Sequence, residues 1–174
     1  MIKVKSANIG MLYSKYQKNQ QIQIPCISVK FKEIIELLPY QKPFLFVDEL
    51  IEISENGISG NYTFQKNESF YEGHFKDNPI TPGVILTETM AQIGVVCLGI
   101  YLLKDKISSE KKPKIALTSN QIDFFLPVLP NEKVTVISEK EYFRFSKLKC
   151  KVKMFNDKNE LICRGTIAGM IIAK

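Results

Sequence analysis

From Gly83 to Leu103 the chain reads GVILTETMAQIGVVCLGIYLL, and this stretch limits the fold more than any other. It is apolar nearly all round at helical spacing, so a helix formed here has to be buried on every side rather than along one stripe. Thr81-Pro82-Gly83 precedes it. A threonine N-cap followed by proline in the first helical position, where a missing N–H costs nothing, predicts a start at Thr81. Thr87, Glu88, Thr89 and Gln92 interrupt the apolar run, and the unbroken part, Ile93 to Leu103, is well short of the ~20 residues a bilayer needs. Gly94 and Gly99 weaken a helix and predict close packing against its backbone. The segment is therefore expected to be the core helix of a protein without membrane insertion.

What surrounds the helix is strand-like. FLFVDELIEI (Phe44–Ile53) and ISGNYTF flank Asn56-Gly57, a hairpin signal. After the charged loop KDKISSEKKP come IALTSNQIDFFLP, KVTVISEKEYFRF, KLKCKVKMF and ELICRGTIAGMIIAK. In the third of these, Lys147, Lys149, Lys151 and Lys153 alternate with Leu148, Cys150, Val152 and Met154, the period-two pattern of a half-buried strand. A short amphipathic helix, FKEIIELL, is closed by Pro39. One helix that needs burial on all sides, beside one run of strands, predicts an α+β fold in which the sheet curls around the helix. Such a sheet keeps open edges, which favours pairing with a second copy. Residues 1–30 are polar and rich in Gln, Lys and Asn and read as an extension of uncertain structure; 31–174 reads as a single domain.

Charge sorts the partners. Lys and Arg total 24 against 18 Asp and Glu, a net charge of +6 with pI near 9.0. That balance suits an acidic partner. No nucleic-acid motif accompanies it, so none is expected to bind. The lysine row on 147–153 is one candidate docking surface; its other reading is a solvated face that guards against edge pairing. Cys26, Cys97, Cys150 and Cys163 form no C-x-x-C pair, and with one histidine in the chain no metal site is expected. Reduced, mostly buried thiols and the absence of a signal-peptide core in the N-terminal stretch lead us to expect a cytoplasmic protein.

The one histidine, His74, lies in FYEGHFKDNP, fourteen residues before Glu88. An imidazole titrates near ~6.5 and can accept a proton at neutral pH. A carboxyl buried in an apolar helix is favoured in its protonated form by desolvation. Together they could move two protons in one reaction. Gly83, at the helix start, adds backbone N–H groups without an intrahelical partner and no side chain to block a carbonyl oxygen. Base, acid and oxyanion donor suit proton abstraction beside a carbonyl with loss of a β-substituent. Two plainer readings stay open: a His74 ring that only satisfies a loop backbone group, and Glu88 with Gln92, four residues on, as a purely structural pair.

GHFKDNPITPGVILTETMAQ, with LLPYQKPFLFVDEL before it and NQIDFFLPVLPNEKV after, resembles the β-hydroxyacyl-[acyl carrier protein] dehydratases of the hotdog fold, from about residue 33 to the end. The resemblance implies a curved antiparallel sheet around the long helix, no cofactor, and a homodimer or trimer of dimers. It also allows a heteromer with a second hotdog subunit. It implies His74 and Glu88 as catalytic residues supplied by different subunits, with Phe75, Gly83, Val84 and Gln92 along the substrate. The substrate would be an acyl chain linked through phosphopantetheine to acyl carrier protein, in fatty acid synthesis or a polyketide or aryl-polyene pathway. A hotdog acyl thioesterase and a non-catalytic subunit that pairs with an active homologue are the alternatives. Tyr40 replaces the family's usual His without expected chemical consequence. Lys76-Asp77 stand for its usual Pro-Gly. Phe125 and Leu126 stand where basic residues are common, and could meet another subunit.

Overall fold

The computed structural model describes residues 26–104 and 113–172. Most of the expected extension and the middle of the charged loop lie outside them. The chain divides into a unit of residues 1–30 and a unit of 31–174, and the sheet and the long helix belong to the second.

Helix α1 (Cys26–Glu36) starts earlier than FKEIIELL suggests and stops before Pro39. Ile34 is buried, as is Leu38 just beyond the helix, with Phe31 and Ile35 packed against the core beside them. That is the i, i+3, i+4, i+7 face of an amphipathic helix. Strands β1 (Glu49–Ser54), β2 (Gly57–Thr63), β3 (Lys114–Phe124), β4 (Lys133–Arg144), β5 (Lys147–Asn156) and β6 (Leu161–Ile172) form one sheet in the order β1-β2-β4-β5-β6-β3. Every neighbouring pair is antiparallel. This is the α+β hotdog fold.

The long helix runs Gly83–Leu102 in three parts: α2 (Gly83–Ala91), a π-helical stretch (Gln92–Cys97) and α3 (Leu98–Leu102). The π-helical stretch packs against β2, β4, β5 and β6. By length and composition this 20-residue helix does match a membrane span, more closely than the interrupted run suggests, but 72% of its apolar window is buried in the fold. It is the core helix. Ile93, Cys97 and Leu98 are fully enclosed, and they meet Leu148, Cys150, Val152 and Met154, the inward residues of β5. Each such side chain contributes roughly 1.5–3 kcal/mol by leaving water. Gly94 is glycine because a Cβ there would lie 3.0 Å from Ser138 Cβ and 3.1 Å from Val152 Cγ1. The Ser138 hydroxyl donates to the Gly94 carbonyl at 2.8 Å, which holds the π-helical stretch on the sheet.

Four local expectations are corrected. Phe44–Asp48 is irregular, and β1 starts only at Glu49. The Phe46 N–H and the Phe44 carbonyl are paired with the Gln92 amide instead of a strand. The β1–β2 hairpin forms, but its loop is Glu55-Asn56 and Gly57 is already paired, opposite Ser54. A Cβ on Gly57 would collide with the Ser138 carbonyl on β4. Strand β4 ends at Arg144, with Phe145 and Ser146 forming a left-handed turn, φ 50° and 62°. Finally, β5 is a central strand, so its lysines guard no edge; Lys149 and Lys151 reach Glu141 on β4 at 3.1 and 3.8 Å.

Candidate active site

The His74 loop is anchored from both ends. A run of aromatic rings, Phe44, Phe46, Tyr62, Phe64, Phe70 and Tyr71, passes from the irregular segment across β2 to this loop with centroid spacings of 4.6 to 6.4 Å. The Tyr71 and Thr81 hydroxyls are hydrogen-bonded to each other, and Thr81 N–H donates to the Val128 carbonyl at 2.8 Å. This removes Thr81 as the helix cap. Pro82 is the N-cap instead, in extended conformation (ψ 138°), and its carbonyl accepts from Ile85 and Leu86 N–H at 2.9 and 3.1 Å.

Between these anchors His74 N–H donates to the Phe70 carbonyl, and Ile80 N–H donates to the His74 carbonyl at 3.0 Å. The His74 ring Nδ1 lies 2.9 Å from the Ile80 carbonyl. A carbonyl only accepts, so Nδ1 carries hydrogen, and a neutral ring presents Nε2 as the base. The plainer reading of His74 is thus correct for one nitrogen and leaves the other free for chemistry. The ring is half-buried and stacks on Phe75 with centroids 3.9 Å apart; the peptide between the two residues is cis. Asp77 takes the left-handed conformation (φ 63°) in the tip of the loop.

At the helix start the Gly83 and Val84 N–H groups have no acceptor among the described residues, as expected of a first turn. The space a Gly83 side chain would fill is held by the Phe124 ring, 3.3 Å from the position of a Cβ. A Cβ here would press on the Phe124 ring and displace it by a few tenths of an ångström. One turn on, Glu88 is half-buried rather than enclosed. Gln92 Nε2 donates to Glu88 Oε1 at 2.9 Å and to the Phe44 carbonyl at 3.0 Å, while Gln92 Oε1 accepts from Phe46 N–H at 2.9 Å. Gln92 is completely buried. Its amide is bonded within the chain on both its oxygen and its nitrogen, and joins Glu88 to the Phe44–Phe46 segment. Phe75 and Val84 are open, 55% and 75% exposed.

A family model of the FabA-like domain matches residues 38–166, which takes in the His74 loop, the whole helix and most of the sheet. The chain belongs to the FabA-like family. Among its relatives is the 3-hydroxyacyl-[acyl-carrier-protein] dehydratase FabZ of Sinorhizobium medicae, 34% identical over 147 residues, covering 82% of this chain and 90% of the relative. The fold is shared with the dehydratase heterocomplex ApeI:P of Xenorhabdus doucetiae, at TM-score 0.68 and 12% identity over 81% of this chain and 91% of that one. It is shared more loosely with the thioesterase HI1161 of Haemophilus influenzae, at TM-score 0.52 and 14% identity over 72% and 78%.

Within this FabA-like chain the structure groups Glu88 with Gln92 and Gly83 with Phe124. His74 groups with Phe75 and Ile80, and no hydrogen bond joins it to Glu88. Sequence reasoning missed the Ile80 carbonyl, which acts through its backbone and leaves no side-chain signature. It also missed Phe124, some forty residues from Gly83. It dismissed Tyr40, although burial, with the Glu88 charge next in order, pushes the Tyr40 phenol up to about 12.

Proposed function

We propose that this chain dehydrates (3R)-3-hydroxyacyl thioesters on acyl carrier protein to trans-2-enoyl thioesters. His74 Nε2 takes the proton from C2, and the electron pair forms the C2–C3 double bond. The C3 hydroxyl leaves with the proton of Glu88 as water. The Gly83 N–H polarises the thioester carbonyl as negative charge develops on its oxygen, a contribution worth ~2.7–4 kcal/mol per donor in other oxyanion sites. No cofactor takes part. The observation that carries the reading is the bond from His74 Nδ1 to the Ile80 carbonyl, which leaves Nε2 as the free base.

His74 and Glu88 work as halves of two sites, each completed by a second hotdog chain. In support, the edge strand β3 is exposed along nearly its whole length, Leu117 is an open apolar group on it, and Phe124, which meets the helix start at Gly83, is open together with Phe125 and Leu126. Arg164 lies over the Phe125 ring, 5.4 Å from its centroid. The partner is a second copy or a related chain, and the assembly is a dimer or a trimer of dimers. Residues 31–174 form the catalytic domain, and the protein acts in the cytoplasm, in fatty acid synthesis or a polyketide or aryl-polyene pathway.

The test is incubation with a 3-hydroxyacyl carrier thioester followed by intact mass, with His74→Ala alongside. Loss of one water by the wild type and none by the variant is the expected result. Return of the carrier thiol to its free form would make the protein a thioesterase. No change at any chain length would make it a subunit awaiting an active partner.

A further inference from the structure

The β4–β5 hairpin ends in a tip that works against the stability of the fold in three ways. Its turn residues, Phe145 and Ser146, both have left-handed backbones, φ 50° and 62°, a conformation that glycine and asparagine adopt readily and a bulky residue does not. The Phe145 side chain is 95% exposed, more than any other large apolar side chain among the described residues. The pair that closes the hairpin, Arg144 opposite Lys147, sets two cations face to face across the strands, an arrangement that repels. Neither is ion-paired among the described residues; the carboxylate nearest to Arg144 in sequence, Glu141, is engaged by Lys149 and Lys151. The tip also stands clear on one side, because the pairing of β4 with β2 stops at Glu139. On the other side β6 brings Met170, 37% exposed, opposite Lys147, and β3 begins at the exposed Lys114. Strand β3 runs from there to Phe124, which meets Gly83. This edge is thus at the far end of the sheet from the helix start, roughly 33 Å away along an ideal strand.

We propose that this tip docks on a membrane surface rich in anionic lipid, with the Phe145 ring seated among the headgroups and Arg144 and Lys147 beside their phosphates. The three unfavourable features then share one reason. A ring at headgroup level sits in the zone that amphipathic aromatic belts occupy, and anionic headgroups relieve the repulsion between the opposed cations. The strained turn holds the ring at the outermost point of the hairpin, and strain of this kind persists where function needs it. A second protein is the weaker fit. A stable protein interface takes about 800 Å² from each side, and one ring on a two-residue turn supplies only a small part of that. A lipid surface needs no matching shape: one inserted side chain and a few cations give weak, reversible attachment. The net charge of +6 adds long-range attraction to the same surface. No helix crosses the bilayer in this arrangement, and attachment does not depend on which reaction the chain catalyses.

The test is sedimentation of the full-length protein with vesicles of mixed phosphatidylglycerol and phosphatidylcholine, and with vesicles of phosphatidylcholine alone. Binding to the first and not the second is expected, with loss of binding in high salt. Replacing Phe145-Ser146 by Asn-Gly keeps the turn and removes the ring, so binding about ten- to a hundredfold weaker is expected. Arg144→Gln and Lys147→Gln should each weaken it about fivefold. Lys153→Gln, roughly 20 Å along β5 from Lys147 and beyond the screening length, should change it by less than about twofold. The chain has no tryptophan, so Phe145→Trp supplies a single probe whose emission shifts to the blue on anionic vesicles. No binding to either vesicle, wild-type binding by the Asn-Gly protein, equal losses from Lys147→Gln and Lys153→Gln, or an unshifted emission overturns the proposal. So does an oligomer formed without lipid that the Asn-Gly change dissolves, since the tip then belongs to a second copy.

Discussion

The two halves of the long helix differ in composition and in fate: Thr87, Glu88 and Thr89 interrupt the first, and the second is unbroken after Gln92. From Gln92 onward it sits inside the sheet: Ile93, Val95, Val96, Cys97, Leu98 and Ile100 are buried, and Gly94 admits no larger side chain. Before Gln92 it is only partly covered, with Val84 open, Glu88 half-buried and two first-turn N–H groups unpaired. The second half holds the fold together; the first carries the chemistry in the function proposed above. Gln92, at the junction, belongs to both, since its amide ties Glu88 to the Phe44–Phe46 segment. One helix can thus be rigid where it is enclosed and reactive where it emerges, provided the reactive group is held by a side chain from the enclosed part.

This contrast breaks if a change in the first half unfolds the protein or a change in the second half abolishes the chemistry of folded molecules. The largest expected effect is on Glu88→Gln: dehydration slows by roughly 10² to 10⁴, with the melting temperature almost unmoved because the side chain is half-buried and Gln keeps the contact with Gln92. Next is Gly94→Val. It forces methyl groups against Ser138 and Val152, already 3.0 and 3.1 Å from the position of a Cβ. About 3 kcal/mol of stability should be lost, visible as a fall of several degrees in thermal melting, with activity per folded molecule retained. Ser138→Ala leaves the Gly94 carbonyl without the hydroxyl that bonds it at 2.8 Å. A loss of about 1–2 kcal/mol in denaturant melting is expected, again without loss of turnover in the folded fraction.

The strands β5 and β6 packed against the enclosed half set the response to alkali. Burial raises the Cys150 thiol from 9.0 to about 11 and the Cys163 thiol to about 12. The folded state then holds protons that the unfolded chain has released, so stability is complete below pH 9 and declines as pH rises through 9 to 12. Urea midpoints measured across that range should fall, and Cys150→Ala should flatten the lower part of the decline. The smallest effect lies far from both halves. Phe145 and Ser146 make a two-residue hairpin turn with left-handed backbones, and Phe145 is 95% exposed. Replacing the pair by Asn-Gly, the preferred residues for such a turn, should raise stability by about 1 kcal/mol and leave turnover untouched.

How far the sequence could be read follows from the same physics. The β5 alternation and the all-round apolar helix were legible because burial patterns are local and periodic. His74 and Glu88 stood out as candidates because of their rarity: one histidine in the chain, one carboxylate in an apolar helix. What escaped depends on contacts remote in sequence. The expected strand at Phe44 has its backbone groups taken by Gln92; the N-cap moved because Tyr71 holds the Thr81 hydroxyl; and the π-helical stretch is pinned by Ser138. Turn chemistry also misled in both directions. Asn56-Gly57 announced a hairpin whose loop lies one residue earlier, while Phe145-Ser146 made one without the usual residues.

The central claim is that the emergent half of the helix is only half of a catalytic site, with Glu88 serving a histidine on another chain. The direct measurement mixes inactive His74→Ala protein with inactive Glu88→Gln protein, lets subunits exchange, and follows loss of water from a 3-hydroxyacyl carrier thioester by intact mass. If the halves come from different chains, each mixed dimer regains one intact site, and roughly a quarter of wild-type activity returns at full exchange. If exchange is confirmed and no activity returns, His74 and Glu88 act within one chain and the account is wrong.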